Sequence, residues 1–175
     1  MKTLIDLVLS QTQRGLPIVR HYHPGLDRIE VLRECGRYGI SVSQDLLDAY
    51  SYKNGALGRE DTPMSDLWMV PPYYWLSLEE AGETRNDLMR CDVPEFADHW
   101  LPLFSSGGAA FLVLDLVSGQ VLLYDRESEI VGRVLAGSLR SFFGKVHRAL
   151  EEGEIYLDYE GFLSTKNSFW LPPPA

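Results

Sequence analysis

The residues able to do chemistry are few and scattered. His21 and His23 flank Tyr22 just before Pro24, and an extended segment would put both imidazoles on one side. Two nitrogen ligands fall short of a zinc site, and His99 and His147 fall on other predicted elements with no cysteine pair at ligand spacing to assist them. The segment reads as a half-exposed strand or loop, and neither a metal nor a cofactor is expected. Ser105-Ser106-Gly107-Gly108 lacks the Gly-x-Ser-x-Gly spacing of a nucleophile elbow, and it precedes a strand rather than a helix. No lysine follows a glycine run as in a phosphate loop, and no His-x-Glu with paired cysteines suggests a zinc deaminase. The carboxylate pairs Asp45/Asp48, Glu79/Glu80 and Glu151/Glu152 fit solvated helix faces or ends better than acid/base work, which needs a site around them. The expectation is a protein without catalytic residues, not an enzyme.

The totals narrow the classes further. A chain of 175 residues, 45% of them apolar, is long enough for one well-buried domain and short for two. Within it, 1–25 reads as an N-terminal helix and extension, and 164–175 as an apolar, Pro-rich tail. Asp and Glu number 25 against 16 Lys and Arg, a net charge of -9 that disfavours a nucleic-acid partner and favours solubility or a basic protein partner. Cys35 and Cys91 stand far apart, and only seven residues, broken by Asp6, separate Lys2 from the polar run Ser10-Gln11-Thr12-Gln13. Neither a secretion signal nor a membrane span is read there, so a cytoplasmic protein with two free thiols is expected.

The elements that must position any site follow from periodicity. Leu4, Ile5, Val8 and Leu9 at helical spacing predict a first helix over Thr3 to Arg14, closed by Gly15. Leu26, Ile29, Leu32 and Cys35 recur every third residue up to Gly36, which predicts a helix with these four inward and Arg28, Glu30, Arg33 and Glu34 largely outward. Ser43 can cap a short helix through Tyr50, with Leu46, Leu47 and Tyr50 inward and Asn54-Gly55 as its stop. Residues 56–63 are loop-like. Leu67 to Val70 reads as a strand stopped by Pro71-Pro72, and Ser77 with Glu80 has the spacing of a capping box that starts a helix towards Arg90.

The central part of the chain runs from Trp100 to Asp125. Trp100 to Phe104, a Ser-Ser-Gly-Gly break, the unbroken apolar run Ala109 to Leu114, the reversal Val117-Ser118-Gly119 and Val121 to Tyr124 describe a core hairpin, in which the Ala109 to Leu114 strand should be covered on both faces. Ile130 to Leu135 predicts another strand and Ser138 another N-cap. The helix after it, with Leu139, Phe142, Phe143, Val146, Ala149 and Leu150 on one stripe and Gly153 at its end, is the clearest in the chain and should cover Leu112 and Leu114. A strand Ile155 to Leu157 follows, then Phe162-Leu163. Phe169-Trp170-Leu171 is too apolar to hang free, so it should dock on its own domain or on a neighbouring copy, the latter making a homo-oligomer; Pro172-Pro173-Pro174 after it reads as polyproline.

This order of elements resembles the SUKH superfamily, which contains yeast regulators of cell-wall synthesis and many bacterial immunity proteins of polymorphic toxin systems. The residues that carry the resemblance are the Asn54-Gly55 stop after Leu46-Leu47-Asp48-Ala49-Tyr50, the helix start Ser77-Leu78-Glu79-Glu80-Ala81, Trp100-Leu101-Pro102-Leu103, Gly107-Gly108 and Leu114-Asp115-Leu116. Gly119-Gln120-Val121 to Tyr124-Asp125 and Ser138-Leu139 to Phe142-Phe143 continue it, from about Leu26 to Leu163. The resemblance implies an α+β domain with a central, mainly antiparallel sheet flanked by helices, no catalytic residues, and a role in binding another protein.

The function expected on this basis is an immunity protein that neutralises a basic, nuclease-like toxin domain. Three alternatives stand beside it: a regulatory scaffold like the yeast relatives, a glycan or small-molecule module using the aromatics Trp68, Tyr73, Tyr74 and Trp75, and an uncharacterised hydrolase. Acidic residues beside aromatics make good anchors for a basic partner, and that combination is densest at Glu60, Asp61, Asp66, Tyr73, Tyr74, Glu79 and Glu83.

Overall fold

The uninterrupted apolar run at the middle of the chain forms the inner strand of an antiparallel sheet, and the rest of the fold exists to cover its two faces. The computed structural model describes residues 2–58, 60–91, 93 and 95–170, the side chain of Ser168 excepted. The sheet has six strands in chain order: β3 (Trp68–Val70), β4 (Tyr73–Trp75), β5 (Trp100–Ser105), β6 (Ala110–Asp115), β7 (Val121–Asp125) and β8 (Ile130–Ala136). Two short strands precede it, β1 (Tyr22–Pro24) paired with β2 (Lys53–Ala56), and a hairpin of β9 (Ile155–Leu157) and β10 (Leu163–Thr165) follows it. The described residues form five α-helices: α1 (Lys2–Gln13), α2 (Arg28–Arg37), α3 (Gln44–Tyr52), α4 (Leu78–Arg90) and α5 (Leu139–Glu151). This is the expected α+β architecture, with a curled antiparallel sheet.

Period-two alternation sorts the sheet residues onto two faces. Leu101, Leu103, Leu112, Leu114, Val121 and Leu123 join the main core, which also holds Leu4 and Leu7 of α1, Leu46 and Tyr50 of α3, and Phe142, Phe143 and Val146 of α5. The helix with the broadest apolar stripe therefore covers the strand with no polar interruption, as the sequence predicts. Trp100, Phe111, Val113, Leu122 and Tyr124 point the other way, into a smaller cluster with Leu88 of α4 and with Val93, Phe96 and Ala97. At the turn after β6, the Asp115 carboxylate accepts from the backbone N–H groups of Val117 (2.8 Å) and Ser118 (3.1 Å), which fixes the reversal into β7.

Helix starts follow the sequence closely. Ser43, Ser77 and Ser138 each accept from a backbone N–H three residues on, and Asp27 caps α2 in a reciprocal pair with Glu30. The inward face of α2 differs from the three-residue spacing. Val31 and Cys35 are buried, whereas Ile29 is 76% and Leu32 51% exposed. A step of three residues turns a helix 300°, so a strict i, i+3, i+6 series walks around the cylinder, and the i, i+4 pair Val31/Cys35 keeps to one side. The stop after α3 also differs. The helix runs to Tyr52 and passes directly into β2, so Asn54 and Gly55 lie in a strand and not at a helix end.

The tail docks on its own domain. Phe169 is buried in the main core, Lys145 Nζ lies 4.9 Å from the centre of its ring, and the Trp170 indole donates to Thr165 Oγ1 at 3.2 Å. Leu171 and the polyproline stretch Pro172-Pro173-Pro174 lie outside the described residues.

Candidate functional site

Two sequence signals far apart in the chain meet at one joint. Gly55 has φ +76, and a Cβ there would lie 2.5 Å from the Ser77 backbone nitrogen, so only glycine lets β2 press against the start of α4. Beside it the Asn54 carboxamide oxygen accepts from the Leu78 N–H at 2.9 Å, and the Tyr50 hydroxyl donates to the Leu76 carbonyl at 3.1 Å. With Ser77 and Glu80 reciprocally bonded, three N–H groups at this helix start are satisfied from within the chain. The joint is structural: it ties α3 and β2 to α4 and leaves those groups unavailable to an outside anion.

The acidic and aromatic residues singled out from sequence divide between several settings. Glu60 and Asp61 are exposed in the turn after β2, and Asp66 sits in a short 3₁₀ helix, Met64–Leu67, leading into β3. Tyr73 and Tyr74 are successive residues of β4, so their rings leave the strand on opposite sides. Tyr73 is only 6% exposed, and its ring centre lies 5.5 Å from that of Trp170. Burial pushes its phenol up to about 12, Asp125 adds to the rise and Arg133 opposes it. Tyr73 is therefore a packing residue covered by the tail. Tyr74 is partly buried against the main core. Glu79 and Glu83 are exposed on α4, where the Glu79 carboxylate accepts from Arg37 of α2 at 3.1 Å. The Glu79 hydrogen bond, with help from Tyr38 and Glu34, raises the Arg37 guanidinium above its ordinary value.

Among the other aromatics, Trp75 is buried with its ring 5.6 Å from Tyr50, 6.1 Å from Phe104 and 5.5 Å from Phe143. It is a centre of the core and not a stacking platform. Among the described residues His99 lies between two carboxylates, with Nδ1 3.2 Å from Asp98 and Nε2 3.8 Å from Asp115. Burial works to raise the Asp115 carboxyl, but the backbone of Ser118 and Val117, the Ser118 hydroxyl and His99 together hold it below its ordinary value. Asp115 is thus engaged as a turn former. Burial pushes the Cys35 thiol up to about 11, Glu34 adding to it, which leaves it a poor nucleophile at neutral pH. Among the described residues no group of three His, Cys, Asp or Glu could hold a metal ion, and no helix is long and apolar enough to cross a membrane.

The surface feature that the sequence patterning did not single out is the β9–β10 hairpin. Tyr156, Leu157, Tyr159 and Phe162 are all exposed there, although between Leu150 and Thr165 the chain carries five acidic residues and no Lys, Arg or His. That composition, large apolar residues inside a single-sign charge run, was the available signal.

The sheet order, the Asn54-Gly55 joint and the Ser77 and Ser138 helix starts lie within residues 32–145, and over that span the chain matches the model of the SMI1 / KNR4 family (SUKH-1). The chain belongs to the SUKH-1 family. The match runs from α2 into the first half of α5 and takes in the whole six-stranded sheet. As mapped on this SUKH-1 chain, α1, which packs along α5, lies before the matched span, and the β9–β10 hairpin lies after it. A search of curated proteins finds no match.

Proposed function

We propose that this SUKH-1 chain is a non-catalytic protein-binding domain of the immunity type, which acts in the cytoplasm by binding and occluding a basic, nuclease-like bacterial toxin domain. The observation that carries the reading is the surface of an acidic family member: at net charge -9, large apolar side chains still stand in solvent. Opposite charge speeds encounter with a basic partner, and desolvated apolar contacts supply the affinity. Glu60, Asp61, Asp66, Glu79 and Glu83 contribute to that field, and Tyr74 is the half-exposed tyrosine of the pair in β4. Tyr73 does not serve as an anchor, because Trp170 covers it.

The test is co-expression with a toxin domain encoded beside the gene. Cells carrying both should grow while cells carrying the toxin domain alone die, and the two proteins should co-purify. If the intact chain neither binds nor protects against any neighbouring toxin domain, immunity gives way to regulatory scaffolding.

A further inference from the structure

We propose that the β9–β10 hairpin is the docking surface for a basic protein partner, with Tyr156, Leu157, Tyr159 and Phe162 as its apolar anchors; this rests on the protein-binding reading above. The hairpin tip is tied by its own hydrogen bonds. Asp158 Oδ1 accepts from the N–H groups of Glu160 (2.9 Å) and Phe162 (3.0 Å), its Oδ2 from Ser164 Oγ (3.2 Å), and its backbone N–H donates to the Phe162 carbonyl (2.8 Å). A backbone turn closed in this way has less loop-ordering entropy to lose on binding, which favours affinity. At its end stands Tyr159, 95% exposed, the least covered large apolar residue described.

Along β9, Tyr156 and Leu157 are exposed on opposite faces of the hairpin. A groove beside that strand is lined by Leu16, Leu150, Ile155, Tyr156 and Leu157, with Arg14 at it. Among the described residues β9 pairs with β10 alone, so no described strand lies on its other edge. An exposed apolar group of this kind marks an interaction site more often than chance exposure of single residues.

Charge decides the occupant. Glu151, Glu152, Glu154, Asp158 and Glu160 flank the anchors along the chain; of the cations near them, Arg14 is bonded to Glu151 at 3.2 Å and Lys145 lies in the field of Glu154. A second copy of the chain would set these carboxylates against its own net charge of -9, whereas a Lys- and Arg-rich surface complements them. The hairpin also lies beyond the span matched by the family model.

Two probes test the surface: the neighbouring toxin domain, and a short peptide of alternating lysine and leucine followed by NMR on the labelled full chain. The variant is Tyr159→Ala/Glu160→Lys, both exposed positions, with Glu127→Lys in the turn between β7 and β8, also exposed, as comparison and the thermal midpoint as a fold check. The expected result is a Kd for the toxin domain at least about tenfold weaker in the hairpin variant and unchanged in Glu127→Lys. Equal binding by the hairpin variant overturns the surface while leaving the immunity reading in place. If the toxin domain does not bind the unmodified chain, the immunity reading falls and the peptide decides: shifts at residues 152–162 that the variant loses support the surface, and shifts elsewhere or none overturn it. A dimer of the unmodified chain that the variant dissolves would assign the hairpin to a second copy and overturn the basic partner.

Discussion

At single positions, the fold depends on contacts whose partners lie far along the chain. Gly55 combines a left-handed φ with a 2.5 Å approach to Ser77, so Gly55→Ala should lower stability by about 2 kcal/mol or more, read as a shift in urea midpoint at constant slope. A midpoint unchanged by that variant would show that the joint relaxes freely. Phe142 is fully buried beneath the sheet, and Phe142→Ala should cost roughly 3–5 kcal/mol; a loss under about 1 kcal/mol would place α5 elsewhere. Alkaline pH gives a third readout. The Tyr73 phenol is raised from 10.0 to about 12, so the folded state disfavours the phenolate: this stability is fully present below pH 10.0 and is lost as pH rises towards about 12. Tyr73→Phe should flatten that part of the stability profile, and an identical slope in the variant would contradict the assignment. The positive φ at Gly55 was legible from the Asn-Gly pair. Its reason was not, because Ser77 and Leu78 are two dozen residues away and a turn signal carries no information about what packs on it.

At the level of elements, local rules predicted most of the helix and strand positions and failed where neighbours decide. The caps at Ser43, Ser77 and Ser138 are satisfied within three residues, which is why reading four residues suffices to find them. The burial of α2 is set by α3 and α4, and its three-residue apolar series placed Cys35 correctly but Ile29 and Leu32 on the wrong side. Ile29→Ser and Leu32→Ser should each change stability by no more than about 0.5 kcal/mol, whereas Val31→Ala should cost on the order of 2 kcal/mol. The reverse ranking in thermal or urea unfolding would restore the three-residue face. The tail behaves as its composition implies: Phe169 fills the core and Trp170 covers Tyr73. Truncation after Lys166 should therefore destabilise the chain, and an unaltered midpoint would show the docking to be dispensable. The strand Ile155 to Leu157 was legible, but the exposed surface of the β9–β10 hairpin was not, because alternation looks for a buried side and here Tyr156 and Leu157 are both exposed in succession.

For the whole molecule, charge and family membership point in one direction and the candidate anchors move. The acidic balance and the α+β sheet were legible from composition and order, since both sum over many residues. The candidate binding face was not, because Tyr73 is covered by a tail nearly a hundred residues away and the fold alone decides which apolar residues of the hairpin stay exposed. A binder that occludes its target acts stoichiometrically, whereas an enzyme that modifies it turns over, and a titration separates the two. The most direct measurement is residual activity of the neighbouring toxin domain against increasing molar ratio of this chain. Neutralisation by binding predicts a linear fall that reaches zero near equimolar protein. Activity that persists at large excess, or that vanishes at a small fraction of an equivalent, would contradict it.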